Sequence, residues 1–261
     1  METDPAAWIR VLRNSHERLR AAVEPLGQDK LEQGAFPSEW TIAQVLSHLG
    51  SSAEITDLRL DAGLSGREPP GQEQCVPIWD RWNAKSPAAQ AADGLRADQA
   101  DVERFEALNA DQLARFHLTM FGQDFDAAGL ARMRLSEHAL HSWDVLVALD
   151  PAATVAPDAV ALLIDTLGMF VAWAGKPDGK QRKILVSTHV PECRFILETG
   201  QAVTLTAAGQ SGPELGSSEL RLPAEAFLRL IYGRMDPAHT PSSVQGTGVD
   251  LDDLRKVFPG I

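Results

Sequence analysis

Two side chains with complementary acid–base chemistry, Glu137 and His141, stand four residues apart in Arg134-Leu135-Ser136-Glu137-His138-Ala139-Leu140-His141-Ser142-Trp143-Asp144. On a helix that spacing sets them on one face about a turn apart. The face also carries Leu130, Met133, Leu140 and Ala148. A carboxylate and an imidazole within an apolar stripe are costly to bury unless each has a partner. That partner is either the other residue, in an ion pair, or a metal ion. His48 lies between Val45 and Leu49 on the apolar side of a second predicted helix. A lone inward histidine is ordinarily a core residue bonded to a carbonyl or a water. Together with Glu137 and His141, however, it supplies two nitrogens and one oxygen from facing helices. Such a set suits zinc and leaves a fourth position for water or substrate, which points to catalysis. Asp144, one turn beyond His141, could hold that imidazole from behind or bond local polar groups.

These residues need helices to carry them, and the first half of the chain reads as four. Trp8, Val11, Leu12, Leu19 and Val23 recur at helical spacing until Pro25 and Gly27, predicting a helix over about 5–24. Thr41 and Gln44 stand in capping-box spacing, with Trp40 placed to staple onto Val45. The helix they start carries His48 and ends near Gly63, Gly66 and Pro69-Pro70-Gly71. Ser86-Pro87 opens a third helix, and Trp79 and Trp82 fall in the loop before it. Asp111 to Gly129 reads as a looser connection. A fourth helix runs from about Asp126 to Leu149 and stops at Asp150-Pro151. Four such helices make a bundle.

Beyond Pro157 the pattern changes. One helix spans Asp158 to Ala174. The apolar or β-branched runs Arg182–Val190, Cys193–Thr199 and Ala202–Ala207 then read as hairpin strands of a small antiparallel sheet. A loop is expected around Gln210-Ser211-Gly212-Pro213, a short strand at Leu220–Leu222, a helix from Pro223 to near Gly233, and a last helix over about 250–257. The expected class is α+β, with residues 1–152 forming the four-helix bundle and 153–261 a smaller α/β domain.

Charge and composition limit the functions available. With 24 Lys plus Arg against 36 Asp plus Glu, the net charge is −12 and no basic block compensates it. That argues against nucleic acid and for a small-molecule substrate. The most apolar run, Ala159–Ala174, is interrupted by Asp165 and Thr166, so no membrane span is expected. The N-terminus lacks the apolar core of a signal peptide, and Cys75 and Cys193 form no CxxC pair, which suits a reducing cytoplasm.

Three strings carry a family resemblance: Trp40-Thr41-x-x-Gln44-x-x-x-His48-Leu49; Arg134-Leu135-x-Glu137-x-x-x-His141-x-Trp143-Asp144; and Leu230-Ile231-Tyr232-Gly233-Arg234. Across nearly the whole chain they resemble the mycothiol-dependent maleylpyruvate isomerase family. That family joins a DinB-like metal-binding bundle to a smaller domain resembling sterol carrier protein. The resemblance implies that His48, Glu137 and His141 bind zinc or another divalent metal. It also implies that the thiol cofactor is mycothiol, a low-molecular-weight thiol of actinobacteria, and that the partner is an electrophilic small molecule. A metal with one free position can hold a thiol as thiolate at neutral pH. The implied outcome is cis–trans isomerisation of a maleylpyruvate-type acid or S-transfer to an electrophile, with neither cysteine required.

An anionic substrate in a chain of charge −12 needs local cations. Arg234, in the closing motif, is a candidate carboxylate clamp, although an arginine there can instead bond the last helical carbonyls. Arg134 is a second candidate, with pairing to acidic neighbours as its alternative. His16, His117, His189 and His239 have no partner at ligand spacing, and His138 would reach the metal only on a rotated helix. Two other readings stay open: a non-catalytic metal- or ligand-binding module, and hydrolysis by metal-bound water without a thiol.

Overall fold

The computed structural model describes residues 4–36, 39–209 and 218–260. They divide into two units, Met1–Ala153 and Thr154–Ile261.

The first unit contains α1 (Pro5–Val23), α2 (Gln28–Leu31), α3 (Ile42–Ser65), α4 (Gln72–Asn83), α5 (Pro87–Glu106), α6 (Ala110–Arg115), β1 (Leu118–Met120), β2 (Gln123–Phe125) and α7 (Ala127–Leu149). The four long helices form a ring in which α1 packs on α5 and α7, and α3 on the same two. Their starts are local in origin. Thr41 Oγ1 accepts from the Gln44 amide while Gln44 Oε1 accepts from the Thr41 amide, closing the capping box of α3. Ser86 caps α5 ahead of Pro87, and Asp126 caps α7 through the Gly129 amide at 2.6 Å. Gly66, at φ +66°, ends α3 in the left-handed conformation. Leu19, Val23, Ile42, Val45, Leu46, Leu49, Ala91 and Val145 bury together at one end of the ring. Two small residues set the helix spacing there. A Cβ on Gly94 would lie 2.6 Å from the Leu46 carbonyl oxygen, and one on Gly50 would overlap the Trp82 ring.

Two segments expected to be irregular are ordered. The stretch holding Trp79 and Trp82 is helix α4, with Pro77 inside it. Its capping interaction, Gln74 to the Gly71 amide, and the burial of Cys75, Ile78 and Trp82 against α3 outweigh the proline. Residues 111–129 hold α6 and the β1–β2 hairpin, whose turn places Phe121 and Gly122 both at positive φ. Strands of three residues are too short for alternation to reveal them.

The second unit contains α8 (Pro157–Leu163), α9 (Leu167–Ala174), β3 (Arg182–His189), β4 (Arg194–Thr199), β5 (Thr204–Ala207), β6 (Glu219–Pro223), α10 (Ala224–Ile231), β7 (Gln245–Thr247) and α11 (Leu251–Val257). The single helix expected over 158–174 is broken into α8 and α9 by a 3₁₀ turn at Ile164–Thr166. Pro157–Ala174 is long and apolar enough to cross a membrane by length and composition alone. Here Ala159, Val160, Leu163, Leu167 and Val171 are buried within the unit, where α9 packs on β5 and α8 on α10. The sheet has the order β5-β4-β3-β6-β7. It is antiparallel except at β3–β6, which pair in parallel with Val186 opposite Leu220. The loop expected around Gln210–Pro213 lies outside the described residues.

Candidate metal centre

α3 and α7 bring His48, Glu137 and His141 together although His48 and Glu137 are 89 residues apart in sequence. Glu137 Oε2 lies 3.3 Å from His48 Nε2 and 3.8 Å from His141 Nε2. The three donors fall within 4.8 Å of one another. Their separations are close to the roughly 3.4 Å edges of a tetrahedron with bonds near 2.1 Å. His48 and Glu137 keep 30% and 35% of their side-chain surface exposed and His141 14%, so the donors are partly buried yet open to solvent rather than sealed in the core. Burial raises the Glu137 carboxyl. The hydrogen bond to His48 and the fields of His141, His48 and Arg134 nevertheless hold it down to about 2, so Glu137 is an anion in neutral solution.

Asp144 fixes the orientation of His141. Its Oδ2 lies 2.8 Å from His141 Nδ1, and its side chain is fully buried. With the proton on Nδ1 facing that carboxylate, Nε2 presents its lone pair toward Glu137 and His48, as a ligand imidazole must. The backbone before α3 is strapped to the same helix. Gln33 Nε2 donates to the Ala148 carbonyl at 2.7 Å and the Phe36 amide to the Asp144 carbonyl at 3.1 Å. Phe36 also packs on Trp143, with centroids 4.9 Å apart. This strap carries Trp40 over the histidines, 5.4 Å from His48 and stacked at 6.2 Å on His141. The staple pattern in the sequence identified Trp40 as packing, and Trp40 does contact the apolar cluster that holds Val45. Its place as a wall of the polar site has no signature in spacing.

Arg134 takes the alternative weighed for it, and the clamp expectation is corrected. Its side chain is fully buried, with Nε donating to Asp101 at 2.9 Å and Nη2 to Asp98 at 2.6 Å and to the Leu49 carbonyl. A guanidinium enclosed between the Asp98 and Asp101 side chains of α5 cannot reach out to a substrate. It acts on the site at a distance, as one of the positive charges that keep Glu137 ionised.

Asp98 also joins two histidines that the sequence left unpartnered. Its Oδ2 lies 2.5 Å from His16 Nδ1 and 2.8 Å from His138 Nε2, while His138 Nδ1 meets Ser15 Oγ at 2.8 Å. All three are buried. Separations of hydrogen-bond length, Arg134 on the other Asp98 oxygen and the lack of exposure make this a polar tie between α1, α5 and α7 rather than a second metal site. Burial raises the Asp98 carboxyl, but His138, His16 and Arg134 overcome that and hold it well below the usual carboxylate range.

Arg234 belongs to the second unit, in the turn after α10, where its Nη1 donates to the Tyr232 carbonyl at 3.0 Å. Neighbouring Tyr232 stacks on Phe170 with centroids 3.8 Å apart. Cys75 and Cys193 are both free thiols, and Cys75 is buried.

The family model described as "Mycothiol maleylpyruvate isomerase N-terminal domain" matches residues 12–146. The fold is similar to the crystal structure of the mycothiol-dependent maleylpyruvate isomerase, with a TM-score of 0.70 over 95% of each chain at 11% identity. A crystal structure of a histidine-to-alanine mutant of that enzyme gives the same values. At this identity the likeness shows the fold alone. In sequence, a "Putative metal-dependent hydrolase" of Geobacillus thermodenitrificans (strain NG80-2) is 35% identical over 66 residues, 25% of this chain. The match spans 37% of that relative's length. With more than half of its residues matched by the family model, the chain belongs to the mycothiol maleylpyruvate isomerase N-terminal domain family.

Proposed function

We propose that this protein is a metal-dependent enzyme that activates a low-molecular-weight thiol, mycothiol, for addition to an electrophilic small molecule. The observation that carries the reading is the convergence of His48 Nε2, Glu137 Oε2 and His141 Nε2, with His141 fixed from behind by buried Asp144. These three residues would hold zinc or another divalent ion. Bound there, the ion would supply Lewis acidity and lower the pKa of a thiol at its open position. The remaining work falls to the chain. Glu137, already ionised, adds negative charge to the donor set without releasing a proton. Asp144 sets the His141 tautomer. Trp40 covers one side of the histidine pair and limits water there.

In the isomerisation, the thiolate sulfur bonds to one carbon of the cis double bond and the π electrons move onto the conjugated carbonyl. Rotation follows about the resulting single bond, and the electrons return as the sulfur leaves. Nothing is oxidised or reduced. In S-transfer the proton released when the thiol became thiolate returns, through solvent, to the carbon that carries the displaced electrons, and the sulfur stays. Arg234 is the proposed carboxylate-binding residue of the second unit, resting on the resemblance of Leu230–Arg234, and the reaction is assigned to the cytoplasm. The 66-residue likeness to a metal-dependent hydrolase favours a second reading, hydrolysis at the same residues without thiol.

Elemental analysis of wild type beside His141→Ala, followed by assay with and without thiol, tests the proposal. About one divalent ion per wild-type chain, lost in the variant, and product formed only with thiol are the expected results. Metal with thiol-independent hydrolysis would transfer the site to the second reading. No metal uptake would overturn both.

A further inference from the structure

Within the first unit, Arg13, Arg20, Arg104 and Arg134 each hold a carboxylate. Arg59 does not. It lies on α3, half-buried, and among the described residues its guanidinium has no hydrogen bond or ion pair. It lies over the Phe121 ring, whose centroid is 6.0 Å from the guanidinium carbon. Burial pushes the Arg59 guanidinium down from arginine's ordinary range, against the opposing fields of Cys75 and Glu137. A partly desolvated cation without a counter-ion is an unfavourable arrangement unless an anion arrives from outside the chain.

Its position says where that anion would lie. Eleven residues separate Arg59 from His48, close to three full helical turns, so the two share one face of α3 about 16 Å apart along its axis. Side chains on α3 lean toward its N-terminus, and the longer arginine reaches further along the axis than the imidazole, which shortens that separation. Glu137, like Cys75, lies close enough to Arg59 for its field to act on the guanidinium.

Phe121 strengthens the case. It is 73% exposed and sits at φ +56° in the β1–β2 turn, a conformation that costs a non-glycine residue energy and that clusters at ligand sites. An aromatic face behind a guanidinium leaves the N–H edge free for bidentate bonding to a carboxylate.

We propose that Arg59, backed by Phe121, binds a carboxylate of the electrophilic substrate whose reactive carbon is presented at His48, Glu137 and His141. The assignment rests on the proposed function for the identity of the reacting centre, but not for the carboxylate site itself. Guanidinium and carboxylate form two parallel N–H···O bonds on the substrate's side, and no covalent bond changes at Arg59.

The test is calorimetric titration with succinate, an unreactive dicarboxylate, and with its uncharged dimethyl ester. Wild type, Arg59→Gln and Arg59→Lys would be compared, each in metal-loaded and chelator-treated forms, with circular dichroism and metal content as controls. Wild type should bind succinate in both forms. Arg59→Gln should lose on the order of ten- to hundred-fold in affinity and Arg59→Lys less, while the ester should not distinguish the proteins. In turnover with a carboxylate-bearing electrophile and thiol, Arg59→Gln should raise KM far more than it lowers kcat. Equal succinate affinity in wild type and Arg59→Gln would overturn the proposal, as would no succinate binding by wild type. Loss of succinate affinity in Arg59→Gln without any thiol-dependent turnover by wild type would keep the carboxylate site and overturn the thiol reading alone.

Discussion

Asp144→Asn isolates what a buried carboxylate contributes to a metal ligand it does not itself replace. In wild type His141 Nδ1 faces a fully buried carboxyl oxygen of Asp144 at 2.8 Å, the arrangement of an imidazole donating to a carboxylate. A charge-assisted hydrogen bond contributes about 1.5–3 kcal/mol and a neutral one about 0.5–1.5, so the amide should forfeit roughly 1–1.5 kcal/mol. That energy is realised in metal binding, because His141 Nε2 becomes a weaker donor once the charge behind the ring is gone. Divided by about 1.4 kcal/mol per decade, the loss is close to ten-fold in metal affinity. Competition against a chromophoric chelator at pH 7.5 measures it directly. Asp144→Ala, which also frees the ring to rotate, should lose more, toward a hundred-fold. Metal affinity unchanged in Asp144→Asn, with the fold intact by circular dichroism, would refute the claim that Asp144 tunes the site through His141.

Other consequences follow from the same contacts. Arg134→Leu leaves the buried Asp98 carboxylate without this cation and Asp101 Oδ2 without its donor, and should destabilise the first unit by about 3–5 kcal/mol in urea melts, whereas a substrate clamp would change KM with little effect on stability. Asp101 has a pH signature: burial, opposed by Arg134 and reinforced by Asp57 and Asp98, raises its carboxyl to about 8 from an ordinary 3.8. The folded chain therefore holds a proton that the unfolded chain releases, and its stabilising effect is full below about pH 4 and lost as pH rises to 8. Relative to Asp101→Asn, wild type should lose up to about 1.4 kcal/mol per pH unit across that window, and parallel profiles would contradict the assignment. Gly94→Ala drives a methyl against the Leu46 carbonyl and should cost about 1–3 kcal/mol by thermal denaturation, through separation of α3 from α5.

What could be read from the sequence was what local chemistry encodes. The capping box at Thr41 and Gln44 and the Ser86-Pro87 start lie within four residues of the helices they begin, and each forms as its spacing predicts. Glu137 and His141 were visible for the same reason, since a helix brings i and i+4 together wherever it lies. His48 came from its place on an apolar stripe, which tertiary packing then turned toward them. The cluster of His16, Asp98 and His138 was out of reach because its members come from three helices, with 82 residues between the first pair and 40 between the second. Helix α4 escaped because Pro77 and the preceding Pro69-Pro70-Gly71 read as a break, while the packing of Trp82 against α3, with Nε1 bonded to Glu54, is a nonlocal gain. Arg59 drew no notice for a related reason. Lacking a partner among the described residues is visible only once those residues have been placed.

In the proposed function His48, Glu137 and His141 together hold a divalent ion that takes a thiol. Cobalt(II) substitution followed by titration with N-acetylcysteine tests it most directly, because cobalt reports coordination in its visible bands and a bound thiolate in a sulfur-to-cobalt charge-transfer band. Wild type should take up about one cobalt per chain, show the intense visible absorption of a low-coordinate site, and gain the charge-transfer band as thiol is added. His141→Ala should show neither. Cobalt bound with equal affinity by wild type and His141→Ala, or a wild-type spectrum that does not respond to thiol, would contradict the account.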